Sequence, residues 1–303
     1  MVKPFCLTAV LTFTMATLGI ADLVRGQQLA DPNFQIKVAR PTFTKKNPKV
    51  LFDEAHYNFH TAGGRYKPFA QLITADGYQI TSSKEKFTKS LLRGYDVLVI
   101  ANALGEERDL SAFSDEECDV VHDWVQAGGS LLFIADHTPF GAAAKNLSNR
   151  FGVEMSMAYT ADRTNYDQTA SGEIGQLVFT RENKLLNDHA VTRGRNTTER
   201  INRVVTFTGQ SLSIPKDGVA FLKLSDKAFD VMPPDEKKEI PVAGRAQGIA
   251  LKFKKGRVVI LGEAAMLTAQ LTGKDHKPMG MNYPNTDNQQ LALNIMHWLS
   301  RKL

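Results

Sequence analysis

From Val50 onward, short apolar runs alternate with amphipathic stretches. Val50 to Phe52 is the first such run; Phe69, Leu72 and Ile73 then fall at i, i+3 and i+4, and Gly77 stands where a helix takes its C-cap. Tyr78 to Thr81 predicts a strand, Lys84 to Arg93 a short helix, and Asp96 to Ile100 a strand rich in β-branched residues. Ser114-Asp115-Glu116-Glu117 is a capping box; it starts a helix that runs to Gln126 and stops at Gly128-Gly129. Ser130 to Ala135 is another apolar run. Continuous apolar runs belong to strands covered on both faces, so their alternation with helices predicts an α/β fold with a doubly wound, mostly parallel sheet and helices on both faces.

The later part of the chain is less regular. Glu154 to Pro215 is polar apart from Leu177 to Thr180 and Val204 to Phe207, and Gly218 to Leu224 reads as a strand. Asp226 to Gln247, rich in Pro and charge, reads as a solvated loop. Ile249 to Phe253 and Val258 to Leu261, joined by Lys254-Lys255-Gly256, predict a C-terminal β-hairpin added to the sheet. Leu291, Ile295, Trp298 and Leu299 predict a closing helix with Thr286-Asp287-Asn288-Gln289 as its capping box. Residues 50–303 thus read as one domain.

Residues 27–49 carry Lys37, Arg40, Lys45, Lys46 and Lys49 with Pro32, Pro41 and Pro48 and show no period, which suits a basic extended arm. Residues 1–26 have the form of a cleavable signal peptide: Lys3 is the positive start, Phe5 to Ile20 the apolar run, and Val24-Arg25-Gly26 the cleavage region. Thr8, Thr12, Thr14 and Thr17 dilute that run, which is shorter than the ~20 residues of a spanning helix. The expectation is an exported protein, periplasmic or extracellular, beginning near Gln27 and without a membrane span after cleavage.

The 37 Lys and Arg against 32 Asp and Glu give +5, spread along the chain, which is no footprint for nucleic acid. Of the two cysteines, Cys6 leaves with the signal, so Cys118 has no internal disulfide partner. It shares a helical face with Val121, Trp124 and Val125, the position of a buried structural thiol.

In open parallel sheets ligands bind beyond the carboxyl ends of the strands. There the chain places Asp53-Glu54-Ala55-His56-Tyr57-Asn58-Phe59-His60, then Asn102, then Asp136-His137, then Gly262-Glu263. His56 and His60 are four apart, and with Asp53 they are the candidate ligands of a divalent metal, zinc or manganese; Asp136, His137 and Glu263 are the candidate acid–base residues. The rival reading is structural: Asp53 holding loop amides, His56 and His60 hydrogen-bonded in place, Asp136 capping a helix near Ala142. Arg65, after Gly63-Gly64, suits an anionic or hydroxyl-rich ligand, and Thr272 to Pro284, with Asn282 and Tyr283, suits a lid.

Val50 to His60, Gly129 to Phe140 and Asn282-Tyr283-Pro284 to Trp298 together resemble a bacterial exported family of unsettled activity in the class I glutamine amidotransferase-like superfamily. That family is distantly similar to trehalose-utilisation proteins and to the amidotransferase-like domain of intraflagellar transport proteins. The resemblance implies a flavodoxin-like sandwich with its catalytic elbow after Ser130 to Ala135. Glutaminases of the superfamily carry a cysteine at that elbow and a His and Glu after a late strand. Here Asp136-His137 and Gly262-Glu263-Ala264 stand in those places, so no thiol is available to form a thioester and glutamine hydrolysis is not expected.

Two functions remain open. One is a hydrolase-like enzyme acting on a polar or carbohydrate-like small molecule through Asp136, His137 and Glu263, with Arg65, Asn102 and Asn282 binding the ligand. The other is a non-catalytic ligand-binding or scaffold domain of the cell envelope.

Overall fold

A computed structural model describes residues 28–107, 110–169, 173–232 and 238–303; the expected signal peptide lies outside the described residues. In chain order, β1 (Leu29–Ala30), β2 (Lys49–Asp53), α1 (Lys67–Ala75), β3 (Gln79–Ser83), α2 (Lys89–Leu92), β4 (Val97–Ala101), α3 (Asp115–Ala127), β5 (Ser130–Ile134) and α4 (Phe140–Arg150) form the first half. The second half holds β6 (Tyr159–Ala161), β7 (Val178–Thr180), α5 (Ala190–Arg193), β8 (Arg203–Val205), β9 (Gly218–Lys223), β10 (Phe229–Val231) and β11 (Glu239–Pro241). It continues with β12 (Ala246–Phe253), β13 (Gly256–Leu261), β14 (Ala269–Thr272), β15 (Lys277–Gly280) and α6 (Asn288–Leu299).

Seven strands build the central sheet in the order β3-β2-β4-β5-β13-β12-β9. The first five run parallel; β12 runs against them, and β9, antiparallel to β12, closes the edge. The period of two along each strand divides the core. Val50, Phe52, Val97 and Val99 pack with Phe69, Leu72 and Ile295 on one face, while Leu51, Leu98 and Ile100 pack with Leu92, Val121 and Val125 on the other. Val97 to Ala101 are wholly buried, and each large apolar side chain so buried contributes about 1.5–3 kcal/mol. With α1, α5 and α6 on one side and α2, α3 and α4 on the other, this is the doubly wound, flavodoxin-like α/β architecture.

Local chemistry fixes the ends that matter for the site. Ser114 Oγ accepts the Glu117 N–H and Glu117 Oε2 accepts the Ser114 N–H, the reciprocal capping box the sequence predicts. Cys118 is fully buried on that helix, and burial pushes its thiol up to about 12. Gly77 follows α1 with φ +100° and approaches Phe43 so closely that a Cβ would lie 2.0 Å from its carbonyl oxygen.

The expected hairpin forms as β12–β13 and joins the sheet, with β13 as its fifth parallel strand beside β5. Three expectations need correction. Asp226 to Gln247 is not only a solvated loop, because β10 joins β11 and β6 in a small antiparallel sheet in which buried Asp230 accepts from Thr160 and Ser211. The helix expected over Lys84 to Arg93 forms only as α2, since the preceding chain instead lays buried Phe87 against α3 and donates its N–H to Glu117. Asp287 stands at the start of α6 without capping it; its carboxylate accepts the N–H groups of Asn202 and Arg203.

The basic segment before the sheet lies against the domain. β1 pairs with β14, Phe34, Ile36 and Val38 cover the core, and Thr42 donates its N–H to Asp76, which also bonds His297. Its charged side chains stay outside: Lys37, Arg40, Lys45 and Lys46 carry the basic character while the alternate apolar residues dock.

Candidate functional site

A cavity of about 800 Å³ opens at the carboxyl ends of the parallel strands. Asn102 follows β4, Asp136 and His137 follow β5, Glu263 follows β13, and His60 comes from the loop after β2; all five line it. The β14–β15 hairpin covers one side with Gln270, Lys277 and Met279. The segment expected as a lid is therefore an ordered hairpin.

Asp136 and Glu263 both border the cavity at the strand ends. Asn102, in a left-handed backbone conformation with φ 49°, donates from Nδ2 to Asp136 Oδ2 at 2.8 Å and accepts the Asp136 N–H at 3.0 Å. Asp136 Oδ1 accepts the Ala264 N–H at 3.2 Å. It therefore caps no helix: α4 begins after Pro139 without a side-chain cap. Glu263 is fully buried, and its two carboxyl oxygens accept the N–H groups of Ala265 and Met266 at 2.6 and 2.8 Å. Burial, reinforced by the Asp136 charge, holds the Glu263 carboxyl well above the usual carboxylate range. Burial also raises Asp136, but the charge of His137 and the bonds from Asn102 and Ala264 oppose it. Like charges this close do not both ionise readily, so the pair keeps a proton where isolated carboxyls would have lost theirs.

The imidazoles differ. His137 Nδ1 lies 2.8 Å from the Thr138 carbonyl oxygen, which can only accept, so Nδ1 carries the proton and Nε2 is left for the cavity chemistry. Its ring packs on Tyr159 with centroids 4.0 Å apart. His60 is buried against Tyr66, and burial together with the Arg65 charge lowers it to about 3, so it is neutral near neutral pH. Its Nδ1 has no hydrogen-bond partner within the protein. Arg65 itself stacks its guanidinium over Phe59 at 4.1 Å rather than lining the cavity.

Asp53 and His56 lie behind the wall. Both Asp53 oxygens stand 2.9–3.0 Å from His56 Nδ1, and His56 Nε2 lies 2.9 Å from Glu117 Oε1. The ring is clamped between Phe87 and Phe113, each with its centroid 4.7 Å away. Burial opposes the charged imidazole, but the hydrogen bonds and charges of Asp53 and Glu117 outweigh it and raise the pKa. The residues expected as metal ligands thus do not fit that role: both His56 nitrogens are committed to carboxylates, and His60 faces the cavity instead. Among the described residues no three His, Cys, Asp or Glu side chains converge on a coordination site. Asn282 is also placed elsewhere, donating to Asp31 and to the Gln270 carbonyl where the N-terminal segment meets β14.

Several contributors escape sequence reasoning. Glu117 reads as a capping residue and is one, yet its second oxygen completes the His56 cage. Gln210, from the irregular middle of the chain, donates to the carbonyls of Ala135 and Asp136 at 2.8 Å each and accepts the Met157 N–H, fixing the elbow after β5. Gly262 admits this brace: a Cβ there would lie 2.3 Å from the Gln210 carbonyl oxygen. Gln176 and Gln270 line the cavity from outside the parallel sheet. No local pattern marks Gln210, because its partners are remote in sequence.

No protein-family model matches the chain, and no curated protein matches it. Solved structures do. The chain is similar to the mmIFT52 N-terminal domain, with a TM-score of 0.60 and 15% identity over 83% of this chain and 97% of that one. It is also similar to a putative ThuA-like protein from Bacteroides uniformis (TM-score 0.47, 16% identity, 86% of this chain and 95% of that one). A third is an exo-β-1,4-mannosidase from an Opitutaceae bacterium (TM-score 0.41, 12% identity, 84% of this chain and 36% of that one). The first of these likenesses shows that the chain shares the α/β fold of that domain.

Proposed function

We propose that the protein is an exported, hydrolase-like enzyme acting on a polar or carbohydrate-like small molecule in this cavity, with Asp136 as general base and Glu263 as general acid. The supporting observation is a carboxyl pair on the cavity wall whose environments hold its members at different proton affinities. Glu263, wholly buried, keeps its proton to higher pH; Asp136, opposed by His137 and two donors, ionises first. In the proposed step a water O–H bond breaks, its proton passes to Asp136, and the oxygen bonds to the electrophilic carbon. The bond to the leaving group breaks as that group takes the Glu263 proton, and the proton on Asp136 restores Glu263. His137 orients the water through Nε2, and Asn102 fixes the Asp136 carboxylate. No thiol takes part, since Cys118 lies buried on α3, away from the cavity.

The second reading, a non-catalytic ligand-binding domain, draws support from the backbone bonds that already occupy both Glu263 oxygens. A panel of chromogenic glycosides, esters and amides separates the two. Turnover that falls about 10²–10⁴-fold in Asp136→Asn and in Glu263→Gln, with folding retained, supports the enzyme. Absence of turnover by the wild type across the panel, with ligand-induced stabilisation intact, leaves the binding domain. Export is tested by N-terminal sequencing of protein recovered outside the cytoplasm, which should begin near Gln27 and not at Met1.

A further inference from the structure

We infer that the ligand of this cavity carries a protonated amine, received on the side walled by Gln270. This deepens the functional reading above and rests on the same cavity being the working site.

Gln270 is fully buried and borders the cavity. Its amide orientation is determined by its neighbours: Thr268 Oγ1 donates its proton to the Ala265 carbonyl oxygen at 2.7 Å, so it can only accept from Gln270 Nε2, also at 2.7 Å. Gln270 Oε1 is therefore an acceptor, and it has no partner in the protein. Gln176 Oε1, on the same cavity, is a second buried acceptor without a partner. Leaving a buried acceptor unmet is unfavourable, so the cavity calls for N–H or O–H donors.

Charge and walls narrow the donor to an ammonium. With Glu263 holding its proton, the wall sets Asp136, Glu173 and Asp275 against Lys277 and His137 among the described residues, a balance still on the acidic side although the chain as a whole is at +5. His60 adds no positive charge, being neutral. Phe207 and Tyr283, edge to face with centroids 5.2 Å apart, and Phe140 border the same space, while the Phe59 ring beside Phe140 already carries the Arg65 guanidinium. Acceptors, negative charge and aromatic rings together favour an N–H-bearing cation over a neutral polyol or an anion.

The test is calorimetric binding to the full chain at neutral pH, using glucosamine, ethylamine and spermidine beside glucose, N-acetylglucosamine and ethanol. At least one amine should bind about tenfold tighter than its neutral counterpart. That preference should be lost in Gln270→Met. Because Gln270→Met also removes the bond to Thr268, Lys277→Gln provides the second arm: the side chain is exposed, and removing its charge should tighten amine binding about two- to threefold. Equal binding of amines and neutral analogues, binding of none of the amines, or weaker amine binding in Lys277→Gln each overturns the inference. Turnover of neutral substrates that depends on Asp136 but is insensitive to all amines would retain the hydrolase and discard the amine. Amine binding lost in Gln270→Met, without turnover of any substrate, would do the reverse.

Discussion

Two clusters of carboxylate and imidazole stand at the carboxyl ends of parallel strands, one after β2 and the other after β5 and β13, and they behave oppositely. The Asp53–His56–Glu117 cluster is closed: each imidazole nitrogen meets a carboxylate, and the ring is clamped by Phe87 and Phe113. The Asp136–Glu263 cluster is open: it borders a cavity of about 800 Å³, with His137 half-exposed and unpartnered acceptors nearby. The same residue types serve as internal bracing in one place and as available chemistry in the other. What separates them is whether the hydrogen bonds close within the protein.

Removing one member of the closed cluster should have the largest effect. Asp53→Ala leaves the buried His56 Nδ1 without its carboxylate and removes the acceptor of the Ala55 N–H, so it should cost about 3–5 kcal/mol in urea unfolding. Asp136→Asn, in a carboxyl whose charge burial already disfavours, should cost clearly less. Equal losses at the two positions would break the distinction.

The pH dependence of stability should sharpen it next. His56 has a raised folded pKa, so its contribution is fully present below the unfolded value of 6.5 and falls as pH rises through the folded value. His60 has the opposite sign: its pKa falls from 6.5 to about 3, so the native state loses stability as pH drops from 6.5 toward 3. Denaturant unfolding across this range should show His60→Gln with a flatter acid limb than the wild type, while His56→Gln flattens the limb above 6.5. An acid limb unchanged in His60→Gln would refute its neutral burial.

Chemical labelling gives the smallest signal. Diethylpyrocarbonate should modify His137 in the native protein and spare His56, read by peptide mass spectrometry. Iodoacetamide should leave Cys118 intact at neutral pH, because the buried thiol sits at about 12, and should alkylate it fully in denaturant. Native labelling of Cys118 or His56 would show that the closed side opens.

The central architecture is legible because its signals are local. Val50 to Phe52, Asp96 to Ile100 and Ser130 to Ala135 are continuous apolar runs, and the Ser114 capping box forms as written. β10 and β11 are not legible: three-residue strands broken by Pro and charge carry no period, and their pairing with β6 depends on chain distant in sequence. The strand-end rule correctly gathers Asn102, Asp136, His137, Glu263 and His60 at one cavity. It cannot tell that Asp53 and His56 turn inward, because that depends on Glu117 arriving from α3.

The amino-acid pattern by itself determined the α/β class, the run of parallel strands and the rim on which polar chemistry collects, since strand and helix periodicity and capping are read over a few residues. The tertiary structure alone decided which of those polar residues are spent on each other and which are left facing the cavity. Hydrogen-bond satisfaction and burial are properties of groups brought together from remote parts of the chain: Glu117 to His56, Gln210 to Asp136, Thr160 to Asp230.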